Sequence, residues 1–252
     1  MLQNVLLLSV LLLVSKKDSV GQIILPIQTD RPDQTETPFT VPKNYFQMEI
    51  GCLLEQNKDD TKSITVPTIL TKFGLSDQFE VGIITEVATE TINTETVTGL
   101  SPITFRIKET IAQEKGFRPT TSFIGYFTVP DFASEKFKTT YYAPAFKFAM
   151  QHTLTDKISL SYNLGAAWDG ETAEPTFNYT LSTGYSISEE LGAYIEIYGF
   201  IPQKSISEHL FDCGLTYLLS SNILLDVSGG VGLTSKALKY FAGLGCSFRI
   251  KN

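Results

Sequence analysis

Several features are scarce in this 252-residue sequence, and each scarcity excludes a class of protein. No internal apolar run approaches the 18 residues or so that a membrane-spanning helix needs. The two histidines and three cysteines show no zinc-ligand spacing, so we expect no metal and no other cofactor. The net charge is -7 and the basic residues are scattered, which argues against binding of nucleic acid.

Alternation of apolar and polar residues is abundant instead. Between residues 210 and 233, Phe211, Leu215 and Val227 fall on one parity, and Asp212 and Asp226 fall on the other. A period of two is the signature of a strand, because successive side chains point to opposite faces. The apolar face could pack on the core of a soluble sandwich, or it could meet lipid in a membrane barrel.

The connections between the alternating segments decide between these two folds. About 12 such segments follow Tyr45, each of about ten residues, as in membrane barrels. Short turns such as residues 74–77 and 186–190 alternate with longer polar loops such as residues 55–62, 91–102 and 130–140. Short turns at one end and long loops at the other are typical of an outer-membrane barrel.

The sequence therefore predicts an all-β fold, a closed antiparallel transmembrane β-barrel of about 12 strands over residues 45–252. Such a barrel belongs in the outer membrane of a Gram-negative bacterium, surrounded by outer-membrane lipid. We expect the barrel-assembly machinery to be its partner during biogenesis.

The N-terminal region predicts export. Leu6 to Val14 form an apolar run that is too short to cross a bilayer, and Ser19 and Gly21 are small residues placed as in a signal-peptidase site. We interpret residues 1–21 as a signal peptide; a short N-terminal anchor is the alternative.

Residues 22–44 predict an extended leader, because four prolines exclude a helix and interrupt any ladder. The leader is either a periplasmic tail or a segment that folds back and plugs the barrel. In the second case its charged residues pair with lumen charges; these residues are Asp30, Arg31, Asp33 and Glu36.

Charged residues on the polar parity of the strands are predicted to face the lumen. Both signs occur, which indicates a salt-bridged interior that either holds the barrel in shape or forms a path for a small solute. The candidates are Glu49, Glu80, Glu86, Arg106, Lys108, Lys147, Glu196, Asp212, Asp226 and Arg249. Cys52 and Cys246 would lie on adjacent strands if the first strand pairs with the last, and whether they form a disulfide is left open.

Residues 29–51, 72–83, 114–130, 194–233 and 240–250 resemble the outer-membrane family described as the MetA-pathway of phenol degradation. The resemblance implies a porin-like transporter, a passive channel for small solutes that include aromatic or hydrophobic compounds. A structural or surface-interaction barrel without transport is the alternative.

An outer-membrane lipid-modifying enzyme is less favoured. A Ser-His-acid arrangement needs a nucleophile within hydrogen-bond reach of an oriented base. Ser207 and His209 share a strand face but stand too far apart, and there is no G-x-S-x-G motif. We therefore predict no catalytic residue and no enzymatic activity.

Overall fold

A computed structural model describes residues 25–252, so the predicted signal peptide lies outside the described residues. Within this range the chain is almost entirely β-structure, and no helix is long and apolar enough to cross a membrane. The strands are β1 (Tyr45–Gln56), β2 (Lys62–Ser76), β3 (Phe79–Ile92), β4 (Glu95–Leu100), β5 (Ile103–Ala112), β6 (Thr120–Val129), β7 (Ala143–Thr153), β8 (Ile158–Ala167), β9 (Thr176–Ser186), β10 (Leu191–Pro202), β11 (Glu208–Ser220), β12 (Ile223–Gly232) and β13 (Tyr240–Lys251).

The sheet closes into a barrel of 12 strand positions. Consecutive strands pair antiparallel, and β1 pairs with β13 over its full length. β4 pairs with one half of β3 and β5 with the other half, so β4 and β5 share one position that is interrupted at Ser101 and Pro102. Closure pairs the backbone groups that an open edge would expose to lipid, and the predicted fold is confirmed.

The connections separate by length as predicted. The barrel end that carries the short turns, here called the turn end, also holds both ends of the barrel domain, since Tyr45 pairs with Lys251. The longer connections, including residues 130–142 and 168–175, lie at the opposite end, here called the loop end. The turn end corresponds to the periplasmic side of barrels of this type.

One loop prediction is wrong. Residues 91–102 form a hairpin rather than a polar loop: β3 continues to Ile92 and β4 begins at Glu95. Asn93 turns the chain with a left-handed φ of 55°, and the hydroxyls of Thr89 and Thr98 are 2.9 Å apart across the strands. Threonine favours such cross-strand pairs, so a polar segment can still extend a barrel wall.

The outer face of the wall is apolar. Side chains on the outward parity remain about half exposed, as Leu225, Val227 and Leu244 illustrate with 38%, 43% and 61%. Their inward neighbour Asp226 is only 5% exposed. A continuous apolar surface of this kind suits lipid and would be a liability in water.

The three cysteines are free. The register places Cys246 opposite Ile50 and Cys52 opposite Leu244, so the two cysteines at the seam between β1 and β13 are not cross-strand partners. They contribute to the wall as small apolar side chains.

Candidate functional site

Residues 25–44, here called the inner segment, lie inside the barrel. The backbone N–H of Ile27 donates to the carbonyl of Ser221 at the turn end, 2.9 Å away. The chain then reaches the middle of the wall and returns, and the N–H of Asn44 donates to the carbonyl of Gly74, again at 2.9 Å. The segment is therefore a loop that enters and leaves by the same end of the barrel.

Asp30 is the centre of a buried ion-pair network between the inner segment and the wall. Its carboxylate accepts from Lys72 Nζ at 2.8 Å, Arg106 Nη2 at 2.9 Å and Lys108 Nζ at 2.7 Å. The side chains of all four residues are 96% or more buried. Charges this deep need partners, so the wall cations hold the segment in one position.

Glu36 makes a second anchor near the deepest point of the segment. It forms ion pairs with Arg106 and Lys147, both at 2.8 Å, and the hydroxyl of Tyr126 donates to it. Its backbone exchanges two hydrogen bonds with the side-chain amide of Asn163, at 2.7 and 3.0 Å. The Asn163 amide therefore pairs with both the N–H and the carbonyl of Glu36, as the backbone of a neighbouring strand would.

The remaining wall contacts of the tip are hydrogen bonds without a cationic partner. The Thr35 hydroxyl lies 2.6 Å from that of Thr180 and donates to Glu196, while the N–H of Gln34 donates to the same carboxylate at 2.8 Å. Thr35 is 4% exposed, so the tip is packed against the wall rather than suspended in a wide lumen.

Arg31 lies across a glycine pair in the wall. Gly51 and Gly245 are cross-strand partners, and a Cβ at either position would overlap the guanidinium group. Arg31 pairs with Asp226 at 3.0 Å and donates to the carbonyl of Leu244 at 3.1 Å. The two glycines thus create the space that this contact occupies.

The sequence-predicted lumen residues all lie in strands and, with two exceptions, are buried. Glu86 and Lys147 are half-buried, and Arg249 lies near the turn end, where it donates to the carbonyl of Leu25 at 2.8 Å. The eight buried ones are Glu49, Glu80, Arg106, Lys108, Glu196, Asp212, Asp226 and Arg249. The four leader candidates are Asp30, Arg31, Asp33 and Glu36, and all four form hydrogen bonds with wall residues.

Sequence reasoning missed Lys72, which pairs with both Asp30 and Glu49. The register of β2 shifts between Thr65 and Thr68, so the side-chain parity before the shift does not carry through to Lys72. A pattern that assumes strict alternation cannot find such a residue. Tyr126 and Asn163 were also missed, and their inward parity was the only available signal.

Two cavities open at the turn end on either side of the inner segment. The larger is about 470 Å³, and its lining includes Asp33, Tyr194 and the turn residues Asp156 and Glu189. The smaller is about 200 Å³ and lies between Phe39 and the wall near Gln113. The segment therefore leaves space beside it at this end.

At the loop end, an apolar cluster, here called the mouth cluster, fills the barrel opening. Residues 233–239 join β12 to β13 and turn inward, so that Ala237 is fully buried. Gly232 has no side chain to prevent this approach, since a Cβ there would overlap the carbonyl of Leu238. The mouth cluster consists of Leu53, Tyr198, Leu210, Ala237, Leu238 and Phe241.

Outside the mouth, the loop of residues 168–175 is held together by an acidic side chain. Asp169 accepts from the N–H groups of Glu171 and Thr172, each at 2.8 Å. These hydrogen bonds hold the pKa of Asp169 below its usual value, because they stabilise the carboxylate. The loop end therefore carries negative charge at neutral pH.

Replacing Ala237 by aspartate is expected to expel the 233–239 loop from the mouth, because a carboxylate in an apolar cluster is left without partners. Trypsin cleavage after Lys239 in protein-containing liposomes should then become faster. Ser235→Asp places the same charge at an exposed position of the same loop and should leave the cleavage rate unchanged. Equal rates in both variants would show that the cluster does not hold the loop.

The residues considered for catalysis do not form a triad. His209 Nδ1 lies 2.9 Å from the hydroxyl of Tyr179, and Ser207 contributes its backbone carbonyl to the hydroxyl of Thr234 at 3.1 Å. His209 is therefore bound to a phenol in the wall, with no nucleophile in the position that a triad requires.

The chain is similar to known proteins in both sequence and fold. The family model described as "Putative MetA-pathway of phenol degradation" matches residues 29–250. No curated protein matches the sequence. The match spans the inner segment as well as the barrel, so the segment is part of what the family shares.

Solved structures of similar fold include outer-membrane channels and porins. The COG4313 outer membrane channel from Pseudomonas putida F1 has a TM-score of 0.67 at 10% identity, over 87% of this chain and 99% of that one. The NanC porin has a TM-score of 0.55 at 9% identity, over 81% and 100%. The CymD monoaromatic hydrocarbon channel has a TM-score of 0.50 at 7% identity, over 84% and 89%.

Proposed function

Since this chain belongs to the family described as "Putative MetA-pathway of phenol degradation", we propose that it is a passive outer-membrane channel for small apolar or aromatic solutes. The inner segment occludes this channel at rest and moves when a solute passes. The observation that carries the proposal is that the segment occupies the middle of the barrel and is joined to the wall there by hydrogen bonds and ion pairs rather than by covalent bonds.

The preference for apolar solutes rests on the mouth cluster. A solute that enters from the loop end must pass Tyr198, Leu210 and Phe241, which are 7% exposed or less. Apolar molecules can displace Ala237 and Leu238 from such a cluster without loss of hydrogen bonds, whereas sugars and ions cannot. The similarity to a channel named for monoaromatic hydrocarbons agrees with this preference.

Biogenesis completes the proposal. Residues 1–21 direct export and are removed, residues 22–44 form the leader with its inner segment, and the barrel-assembly machinery inserts residues 45–252 into outer-membrane lipid. The polar lining of the barrel then contacts the inner segment, and the apolar outer face contacts lipid.

A reversible disulfide tests the proposal. The Thr35 and Thr180 hydroxyls are 2.6 Å apart, so cysteines at both positions can bridge the tip to the wall in a background with Cys52, Cys213 and Cys246 replaced by alanine. Uptake of the apolar dye N-phenyl-1-naphthylamine by intact cells measures passage. We expect the oxidised protein to reduce uptake to that of cells without the protein, and reduction to restore it.

The variant with only Thr35→Cys is the matched control, and its uptake should not respond to oxidant. If the oxidised, reduced and control proteins all take up the dye no faster than cells without the protein, the barrel is structural and the proposal is wrong. If the oxidised protein transports as well as the reduced one, solute does not pass the tip of the inner segment.

A further inference from the structure

Three carboxylates that lie together inside the barrel have no cationic partner. Within residues 25–252, Asp33, Glu196 and Asp212 form no ion pair with any lysine or arginine. Five other interior carboxylates do form such pairs, and these are Asp30, Glu36, Glu49, Glu80 and Asp226. The carboxylates of this cluster therefore lack the counter-charges that the other five have.

The three carboxylates lie on the same stretch of wall. Glu196 on β10 is the direct cross-strand partner of Asp212 on β11, and on its other side it is the partner of Ser182 on β9. The Ser182 hydroxyl donates to Asp33 at 3.1 Å, which brings the leader carboxylate to the same level. Facing residues in adjacent strands are within contact distance of each other, so their charges interact strongly.

One carboxylate oxygen of Asp212 accepts no hydrogen bond from any described residue of the protein. The residue is 1% exposed; its Oδ2 accepts a long 3.4 Å hydrogen bond from Tyr194, and its Oδ1 is buried without a donor. Glu196, by contrast, receives donors from Gln34 and Thr35. A buried carboxylate oxygen without a donor, beside a second carboxylate, is unfavourable unless a shared proton or a positive group lies between them.

The larger cavity begins beside this cluster. Its lining includes Asp33 and Tyr194, and further apolar surface comes from Leu218 and Leu224. Its volume of about 470 Å³ suits a small organic molecule, and it is open at the turn end. Two basic residues line it: Arg31 is already paired with Asp226, and Lys157 is exposed in the turn between β7 and β8.

We propose that Asp33, Glu196 and Asp212 bind the ammonium group of a small organic amine whose apolar body occupies the adjacent cavity. An ammonium group offers three N–H donors and one positive charge, which matches an acceptor-rich site without a cation. The described residues hold no group of carboxylates, cysteines or histidines with the geometry for a metal ion, so a larger cation fits the site better. The inference rests on the proposed function, and it assigns small organic amines to the larger cavity at the turn end.

Equilibrium binding tests the inference on the full mature chain in detergent. The probe is benzylammonium at neutral pH, measured by calorimetry in potassium chloride, and benzyl alcohol serves as the uncharged molecule of nearly the same shape. We expect benzylammonium to bind at least about tenfold more tightly than benzyl alcohol, a difference of about 1.4 kcal/mol.

Asp212→Asn and Glu196→Gln should each weaken benzylammonium binding by a similar factor and leave benzyl alcohol binding unchanged. Glu55→Gln removes a half-buried carboxylate near the loop end and should leave both unchanged. Heat-shifted gel mobility verifies that each variant is folded. Equal affinities for the two probes in the wild-type protein, or wild-type benzylammonium affinity in both cluster variants, would overturn the inference.

The outcome is separable from that of the transport experiment. Dye uptake that depends on the Thr35–Thr180 bridge, together with equal affinities for the two probes, leaves the channel intact and rejects the amine site. Selective benzylammonium binding without any dye uptake supports the site and rejects the channel.

Discussion

Asp30→Asn is expected to destabilise the folded protein by about 3–5 kcal/mol, the cost of breaking a buried ion pair by removing one partner. Lys72 retains Glu49 and Arg106 retains Glu80, but Lys108 has only Asp30 as a carboxylate partner and otherwise contacts backbone carbonyls. The variant therefore leaves a fully buried ammonium group without a counter-charge. Urea unfolding in lipid, followed by heat-shifted gel mobility, measures the free-energy difference.

Asp33→Asn is the matched control, because it makes the same change three residues along the same segment. Asp33 faces Glu196 and Asp212 rather than a cation, so the neutral amide should be tolerated or should stabilise the protein. If the two variants are equally stable, the ion pairs do not hold the inner segment. If Asp33→Asn is the more damaging, the assignment of the paired and unpaired sides is wrong.

Leu225→Arg is expected to destabilise the barrel by about 1–2 kcal/mol, because a basic side chain on the lipid face costs about 2–4 kcal/mol at the midplane and about 0–1 kcal/mol near the interface. Leu225 is the third residue of β12, on the turn-end side of the strand, and projects outward. The guanidinium group would lie in hydrocarbon without a partner, since its strand neighbours on that face, Tyr217 and Cys246, carry no charge. Folding yield into lipid vesicles and the unfolding free energy measure the effect.

Asp226→Asn changes the adjacent residue on the opposite face and serves as the comparison. It loses the ion pair with Arg31, whose side chain is 20% exposed and can be solvated, so the barrel should still assemble. Normal folding of Leu225→Arg together with failure of Asp226→Asn would mean that the inner and outer faces are the reverse of those described.

The barrel wall was predictable because its signal is local. Successive side chains in each strand of a membrane barrel face lipid and lumen in turn. The opposite orientations of Leu225 and Asp226 can therefore be predicted from their own strand alone. The length difference between turns and loops added the closed topology. The prediction fails where the alternation of side chains is interrupted. The hairpin after Ile92 and the parity shift before Lys72 both arise from pairing with β3, which is not visible in the sequence.

The sequence by itself determined the fold class and the membrane-facing residues, which depend on patterns within single strands, and the family, which depends on continuous stretches of sequence. The tertiary structure alone decided which of two readings applies to the leader, and it placed residues 25–44 inside the barrel. It also decided that Asp30 pairs with three cations while Asp33 accepts from Ser182, next to Glu196 and Asp212 in the wall. The reason is physical: the two aspartates are equivalent in a linear chain, and only closure of the sheet sets which strands surround each of them.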